Sequence, residues 1–433
     1  MDEIIIIGGG LAGSEAAWQI ARRGGKVILY EMRPTKGTPA HKTGNLAELV
    51  CSNSLKSKDL FNAHGLLKEE LRRMGSLIIE AAEEAALPGG KALVVDREIF
   101  SRYITEKLES HPRIRVVRKE IRKIPQNGLV IMATGPLTSG FLASNLQRLT
   151  GEENLAFYDA ISPIVDASTL DYTKLYFKDR HGWDDDSYLN APLDEETYYR
   201  FWQALVKAEV YAGHEFDKIP YFEGCLPIEV MAARGVDTLR FGPLRPVGLP
   251  DPKTGREPFA VVQLRPENRE RTAYSLVGFQ TKLRIKEQIR IFRMVPGLEK
   301  ADFLRYGAVH RNTFLNAPKL LNRTLQLRNL PHLLIAGQLA GTEGYVEAAM
   351  GGLVAGINAL RMAQGLEPLE FPAETMTGAL LKYLETADPR YFQPMNANFG
   401  LFEDAPKMKK MEKRRYLASR ALEVLKRWIK EAL

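Results

Sequence analysis

The chain has two cysteines, Cys51 and Cys225, and neither lies in an apolar run. Cys51 is followed by the polar residues Ser-Asn-Ser, and Cys225 lies in the turn-like sequence Gly-Cys-Leu-Pro-Ile-Glu. A lone cysteine is usually a small buried hydrophobe, but a thiolate is also a nucleophile, and positive charge nearby favours it. Both thiols are therefore candidate catalytic groups, and Lys56, or a basic group that the fold brings in from elsewhere, could activate Cys51.

A second set of residues has the spacing of a phosphate-binding turn. Gly8, Gly10 and Gly13 form a GxGxxG motif directly after the apolar residues 4–7 and at the start of a predicted helix over 11–23. These glycines permit a tight turn, close approach of a pyrophosphate, and close packing of helix on strand. Glu31 ends the next apolar run, where an acid binds ribose hydroxyls. The predicted cofactor contacts of this βαβ unit are Gly8, Gly9, Gly10, Leu11, Ala12, Gly13 and Glu31.

Two later turns favour FAD over NAD as the dinucleotide. Ala-Thr-Gly135 follows an apolar strand, and Ala-Gly337-Gln338 follows another and leads into a glycine-spaced helix. Each turn alone is an ordinary strand-to-helix connection, but their order behind a complete N-terminal motif is typical of flavoproteins with two dinucleotide-binding folds. The additional predicted cofactor contacts from these turns are Gly135, Gly337, Gln338 and Gly344.

The elements around these turns indicate an α/β fold. Apolar runs predict strands over 27–30, 92–95, 114–117, 129–132 and 333–335, and helical periodicity predicts helices over 66–87 and 97–110. Residues 166–217 have a weak helical period, and residues 241–266 contain six prolines, which predicts loops or an edge strand. We therefore expect an FAD-binding, Rossmann-like fold of two parts, residues 1–160 and 301–433, with an inserted α+β domain over 161–300.

Charge and composition suggest a polyanionic partner. The 433 residues carry a net charge of +7, and residues 407–433 hold ten basic and three acidic residues. Clustered positive charge suggests nucleic acid, although a solvated helix with a basic face is an equally simple interpretation. No apolar run approaches the length of a membrane span, and no Cys/His spacing resembles a zinc site. Two cysteines are too few for a disulfide framework. We expect a cytoplasmic protein without a metal site.

Segments along nearly the whole chain resemble the folate/FAD-dependent tRNA (uracil-5-)-methyltransferases. The Cys-Ser-Asn-Ser-Leu and Gly-Cys-Leu-Pro-Ile-Glu motifs are the most specific of these segments. The chain departs from the family pattern at Thr342 and Ala397, where valine is usual, and neither change removes a chemical group. The resembling segments are residues 8–18, 51–55, 133–139, 158–165, 221–229, 237–243, 274–283, 310–313, 336–345 and 395–401.

The resemblance implies that NADH or NADPH reduces FAD and that 5,10-methylenetetrahydrofolate passes its one-carbon unit through reduced FAD to C5 of a T-loop uridine in tRNA. It implies Cys51 as nucleophile and Cys225 as general base, with the reverse assignment open. Tyr345 could stack on the folate or flavin ring, and His310 could line that pocket or simply serve as a structural hydrogen-bond partner. The basic tail would contact the RNA backbone through Lys409, Lys410, Arg414 and Arg415.

Two other functions remain open from the sequence. The first is a related flavoprotein that modifies another RNA uridine, in the wobble position or in ribosomal RNA. The second is a flavoprotein that binds RNA without catalysis. The Gly-Cys-Leu-Pro motif and the moderate chain length argue against the wobble-uridine enzyme, and the two cysteines in motif loops argue against a non-catalytic protein. No obligate protein partner is indicated.

Overall fold

The structure is a computed structural model, and it describes residues 3–38, 40–152, 155–182, 186–211, 226–403 and 406–433. The strands in this part of the chain are β1 (Ile4–Ile7), β2 (Val27–Glu31), β3 (Ser54–Ser57), β4 (Ala86–Leu87), β5 (Ala92–Val95), β6 (Ile114–Arg118), β7 (Val130–Met132), β8 (Leu155–Ile161), β9 (Ile164–Asp166), β10 (Tyr176–Phe177), β11 (Leu189–Leu193), β12 (Ala260–Pro266), β13 (Ala273–Leu276), β14 (Phe303–Arg305), β15 (Ala308–Phe314), β16 (Gln326–Leu327) and β17 (Leu330–Ile335).

Helices alternate with the strands in both halves of the chain. Within the described residues they are α1 (Leu11–Arg22), α2 (Ala63–Arg73), α3 (Leu77–Glu84), α4 (Arg97–Glu109), α5 (Gly140–Thr150), α6 (Glu195–Val206), α7 (Ile228–Ala233), α8 (Thr238–Phe241), α9 (Ile285–Phe292), α10 (Ala317–Leu320), α11 (Tyr345–Ala363), α12 (Met376–Thr386) and α13 (Lys410–Ala432). None of these helices is long and apolar enough to cross a bilayer.

The main sheet has the strand order β16-β17-β7-β1-β2-β6. All neighbours pair in parallel except β16 and β17, which form an antiparallel edge. β1 is flanked by two strands and is the most apolar stretch of the N-terminus, as expected for a parallel strand that is covered on both faces. The prediction of an α/β fold with a βαβ unit at the N-terminus is confirmed.

A second sheet has the order β10-β11-β12-β13-β9-β14 and is antiparallel throughout. Its apolar core is separate from that of the main sheet and runs from Val165 to Ala301 along the chain. A two-stranded ribbon of β8 and β15 lies between the segments that build the two sheets. The domain boundaries at residues 160 and 300 stay a prediction.

Helices α1 and α11 pack backbone against backbone beside the main sheet. A Cβ on Gly352 would overlap the carbonyl oxygen of Ala12, and one on Gly356 would lie 2.8 Å from the carbonyl oxygen of Ala16. The glycine spacing of α11 therefore serves this close contact, which no larger side chain permits. As a result the N-termini of both helices reach the same edge of the sheet.

Two predicted elements were wrong. The helix predicted over 66–87 is two helices, α2 and α3, because Gly75 between them has φ +71°, a left-handed conformation that ends a helix. The region 241–266 was predicted to be loop or edge strand, yet β12 is internal and pairs with both β11 and β13. Five of its six prolines lie before Ala260, and the sixth, Pro266, is the last residue of the strand.

Candidate active site

A cleft of about 420 Å³ opens where strands β1, β2, β7 and β17 end. Ligands bind α/β sheets at this carboxyl edge, where the loops after parallel strands converge. Gly8, Glu31, Gly135 and Gly337 lie at the ends of these four strands and line the cleft. The structure therefore brings together residues from three distant segments that were predicted to contact a cofactor.

The glycine turn after β1 has the geometry that its spacing predicts. Gly8 has φ +105°, and a Cβ on it would lie 2.5 Å from the carbonyl oxygen of Ala133. A Cβ on Gly13 would overlap the carbonyl oxygen of Gly8, so helix and strand require glycine here. Around Gly10, by contrast, a Cβ would meet no atom within 4 Å, because this residue faces the open cleft.

Glu31 is an ionised acceptor at the end of β2. Its Oε2 accepts a hydrogen bond of 2.9 Å from Gly9 N–H, and its Oε1 accepts one of 2.9 Å from Arg33 N–H. Burial raises the pKa of this carboxyl, but the hydrogen bonds and charge of Arg33 outweigh burial, so the pKa lies below its ordinary value. A carboxylate held this way can accept hydrogen bonds from the hydroxyls of a ribose.

The opposite wall of the cleft is the turn between β17 and α11. Gly337 has φ +74° and Gly344 has φ +118°, and Gln338 Nε2 donates to Glu343 Oε2 over 2.6 Å. Gly10 and Gly344 precede α1 and α11, and no side chain in the described part of the chain caps either helix, so the N–H groups at both helix starts face the cleft without a side-chain cap. Two helix N-termini at one cleft favour an anionic ligand such as a pyrophosphate.

The loop that carries Cys51 borders the same cleft and is held by Tyr345. The Tyr345 hydroxyl accepts hydrogen bonds from Cys51 N–H at 2.9 Å and from Ser52 N–H at 3.0 Å. Burial raises the pKa of the Tyr345 phenol above its ordinary value, which keeps the hydroxyl neutral. Cys51 is half-buried and lines the cleft. Tyr345 therefore connects the thiol loop to the start of α11.

Three arginines from α4, β12 and β14 also hold this loop. Arg97 and Arg305 both donate to the carbonyl oxygen of Cys51, over 3.2 and 3.1 Å. Arg265 donates to Ser52 Oγ over 2.9 Å and to Asn53 Oδ1 over 2.7 Å. None of the three was predicted as a site residue from the sequence, because they lie far apart along the chain and no local motif marks them.

A buried ion pair fixes one of these arginines. Arg97 pairs with Glu267, and both side chains are largely buried. Burial raises the pKa of Glu267, but the charge of Arg97 outweighs it, so the pKa lies below its ordinary value. Burial lowers the pKa of Arg97, and Glu267 more than reverses this effect. Both groups are charged, and removing either one would leave a buried charge without its partner.

Lys56 is one of the cations that the sequence offered as an activator of the Cys51 thiol. Its ammonium lies 3.9 Å from Glu347 Oε1, while the cations that contact the Cys51 residue are Arg97 and Arg305. Lys56 nevertheless lines the cleft. The hypothesis that Lys56 activates the Cys51 thiol therefore has no support from the described contacts.

Cys225 lies outside the described residues, but the end of its motif is described. Glu229 is buried and accepts hydrogen bonds from Thr281 Oγ1 at 2.7 Å and from Lys282 N–H at 2.8 Å. Burial raises the pKa of Glu229 above its ordinary value. These bonds join the Gly-Cys-Leu-Pro-Ile-Glu motif to the Phe-Gln-Thr-Lys-Leu segment. Both segments resemble the family pattern, but the sequence did not predict that they contact each other.

The joined segments reach the cleft through Gln280. The carbonyl oxygen of Gln280 accepts a hydrogen bond of 2.7 Å from Ile228 N–H, and Gln280 lines the cleft together with Asn312 of β15. His310 belongs to the same strand, but its side chain lies outside the described part of the structure. The predicted pocket role of His310 stays a prediction.

The basic C-terminal helix predicted from charge is α13. Lys409, Lys410 and Arg415 are exposed and Arg414 is half-buried, and the helix packs through an apolar face that includes Leu417 and other buried residues. Positive charge near a helix N-terminus opposes the helix dipole. The fold therefore maintains this cluster of cations against a local electrostatic cost.

Solved structures with the same fold include GidA of Aquifex aeolicus. Its form II crystal structure matches with a TM-score of 0.69 at 18% identity, over 99% of this chain and 75% of that chain. The form I crystal structure matches with a TM-score of 0.68 at 19% identity. The prediction of an FAD-binding, Rossmann-like fold is confirmed by this likeness together with the family model described next.

The sequence comparisons agree with the motifs. Residues 3–367 match the family model "Glucose inhibited division protein A". The methylenetetrahydrofolate–tRNA-(uracil-5-)-methyltransferase TrmFO of Desulforudis audaxviator is 57% identical over 431 residues, which is 99% of this chain and 98% of the relative. The enzyme of the same name from Aquifex aeolicus is 54% identical over 432 residues, covering 99% and 97%. The chain therefore belongs to the family of methylenetetrahydrofolate–tRNA-(uracil-5-)-methyltransferases, as the resemblance predicted.

Proposed function

We propose that this protein transfers the one-carbon unit of 5,10-methylenetetrahydrofolate to C5 of a T-loop uridine in tRNA, with FAD in the cleft and NADH or NADPH as reductant, in the cytoplasm. The observation that carries the proposal is the position of Cys51. Its loop lines the same cleft as the glycine turn after β1 and the start of α11. A nucleophile for a pyrimidine and a dinucleotide-binding turn thus share one space.

The residues of the cleft fit FAD. Gly10 leaves open space where a pyrophosphate would approach, and the uncapped starts of α1 and α11 offer N–H donors to an anion. Glu31 is ionised and oriented to accept from a ribose. When bound, FAD supplies the redox chemistry that converts a folate-level carbon into a methyl group.

Cys51 and Cys225 would supply the covalent chemistry on uracil. C5 of uracil is a poor nucleophile until the Cys51 thiolate adds to C6, which moves an electron pair to C5 as an enolate. After C5 bonds to the new carbon, a base removes the C5 proton as the bond between that carbon and its nitrogen carrier breaks, which leaves an exocyclic methylene on the uracil ring. A hydride equivalent, which reduced FAD would supply when bound, completes the methyl group, and the thiolate leaves C6 as the double bond re-forms. We assign the base to Cys225.

The remaining residues position these groups. Tyr345, Arg97 and Arg305 hold the backbone of Cys51, so the thiol keeps one position relative to the cleft. A T-loop uridine is stacked in folded RNA and must be extruded at a cost of a few kcal/mol. Contacts between the RNA backbone and the cations of α13 would offset that cost.

The proposal is tested by a transfer assay on purified protein. We expect label from methylenetetrahydrofolate to appear in 5-methyluridine of the T-loop when tRNA lacking this modification and reduced nicotinamide are present. S-adenosylmethionine should give no label. Transfer from S-adenosylmethionine, or label at a wobble or ribosomal uridine instead, would contradict the proposal.

RNA with 5-fluorouridine at the target position tests the roles of the two thiols. Fluorine cannot leave C5 as a proton does, so the covalent adduct at C6 should accumulate. Cys51→Ala should lose both turnover and the adduct, whereas Cys225→Ala should lose turnover and keep the adduct. The opposite pattern would exchange the two roles, and methylation by the double variant would exclude a cysteine nucleophile.

A further inference from the structure

Lys56 places a positive charge in the cleft, and none of the catalytic steps proposed above uses this charge. Its side chain lines the cleft and is 37% exposed. Its backbone has φ +63°, a left-handed conformation that residues other than glycine rarely adopt. Strained residues of this kind concentrate at functional sites. The conformation and position of Lys56 therefore point to a function in the cleft.

The ammonium of Lys56 is paired with the buried carboxylate of Glu347. Glu347 Oε1 lies 3.9 Å from Lys56 Nζ, and it also accepts from Ala397 N–H at 2.9 Å and contacts His64 Nδ1 at 3.2 Å. Burial raises the pKa of Glu347, but the charge of Lys56 and the other contacts outweigh it and lower the pKa to about 2. The Glu347 side chain is only 1% exposed, so the ammonium is the more open end of the pair.

The ammonium lies beside the start of α11. Lys56 Nζ is 3.1 Å from the point that a Cβ on Gly344 would occupy, and Gly344 directly precedes the first residue of α11. The positive end of a 19-residue helix and a lysine ammonium therefore meet at one wall of the cleft. Cys51 lines the same cleft, as does Tyr345.

We propose that Lys56 stabilises negative charge on the flavin ring bound in this cleft and thereby raises the midpoint potential of the flavin. The inference rests on the proposed function only in that a flavin occupies the cleft. A nearby cation favours the more negative, reduced form of a ring over the oxidised form, and the low dielectric of a protein strengthens that preference. Glu347 and His64 are positioning residues that keep the ammonium in place.

The test measures the midpoint potential of the holoenzyme by equilibration with reference dyes at pH 7. In Lys56→Met, the ratio of reduced to oxidised flavin at a fixed solution potential should fall at least tenfold, which is a shift of about −30 mV for two electrons. Lys56→Arg keeps the charge and should stay close to the original potential. Lys58→Met is the matched control, because Lys58 is exposed, lies two residues away and does not line the cleft.

An unchanged potential in Lys56→Met would overturn the proposal, as would an equal shift in Lys58→Met. If Lys56→Met holds FAD too weakly for dye equilibration, oxidised and reduced FAD are titrated separately into the apoprotein. The proposal requires the affinity for reduced FAD to fall at least tenfold more than that for oxidised FAD, and an equal loss of both would refute it. Failure of the unaltered protein to bind FAD would instead contradict the proposed function.

Discussion

Replacement of Tyr345 by phenylalanine tests whether the thiol loop depends on one hydroxyl group. The change removes the acceptor of two backbone N–H groups, those of Cys51 and Ser52, and leaves the aromatic ring in place. A buried N–H that loses its acceptor costs about 1–3 kcal/mol. The two N–H groups together would cost about 2–6 kcal/mol. Because Cys51 is half-buried, water can reach part of the loop, and we expect the free energy of unfolding to fall by an amount near the lower end of this range, about 2 kcal/mol.

The replacement should also slow methyl transfer. A loop without its anchor places the Cys51 thiol less accurately, and small misplacements of a reacting group can cost up to about 100-fold in rate. We expect kcat for methyl transfer to fall tenfold or more, while FAD remains bound. Hydrogen exchange should show faster exchange of the Cys51 and Ser52 amides than in the unaltered protein.

Tyr176→Phe is the matched control. The Tyr176 hydroxyl donates to the carbonyl oxygen of Leu249 over 2.7 Å, and Tyr176 does not line the cleft. This variant should lose a comparable amount of stability and keep its rate of methyl transfer. If Tyr345→Phe retains full activity and unchanged amide protection at Cys51, the hydroxyl does not position the thiol, and the reasoning above is refuted.

The glycine turn after β1, the carboxylate of Glu347 and the basic start of α13 can each be tested by substitution. Gly10→Val should give a folded but colourless protein, because the valine side chain enters the cleft, whereas Gly13→Ala should fail to fold. Circular dichroism measures folding and visible absorbance measures bound flavin. A yellow Gly10→Val protein would show that FAD binds elsewhere. Glu347→Gln should lower the free energy of unfolding by about 3 kcal/mol at pH 7, because the fold lowers the pKa of Glu347 from 4.5 to about 2. In urea titrations, the difference in unfolding free energy between the two proteins should be largest above about pH 4.5 and shrink as the pH falls toward 2. A difference that does not change with pH would refute this prediction. Charge reversal in the first turns of α13 and at the residue before it should weaken tRNA binding and lower the salt slope of binding by about 0.9 per lost phosphate contact. Charge reversal at exposed Lys300 should change neither quantity. The reversed residues are Lys409, Lys410, Arg414 and Arg415.

Local patterns predicted the parts of the site that depend on backbone conformation. The glycine spacing at Gly8 and Gly13 fixes a turn that larger residues cannot adopt, so β1, α1 and β2 were placed within one residue of their observed ends. The prediction failed where one glycine changes an otherwise regular pattern, as at Gly75 between α2 and α3. Apolar periodicity continues across such a residue, and only its left-handed backbone conformation ends the helix.

Contacts between distant segments could not be predicted in this way. Arg97, Arg265 and Arg305 hold the Cys51 loop from three elements that the fold brings together, and each is an ordinary charged residue in its local sequence. The pair of Lys56 and Glu347 has the same origin, because its members are 291 positions apart. Sequence motifs therefore indicated the cofactor turns and the thiols, whereas the residues that hold the thiol loop required the structure.

The strand order of the main sheet has a consequence for synthesis of the chain. β17 pairs with β7, yet about 200 residues separate them, so β7 leaves the ribosome long before its neighbour does. All strands of the second sheet are made in that interval. Domains generally fold as units during synthesis, and an unpaired strand edge promotes aggregation. The nascent chain therefore carries an open sheet edge until β17 arrives, and the cofactor cleft is completed only when α11 has emerged.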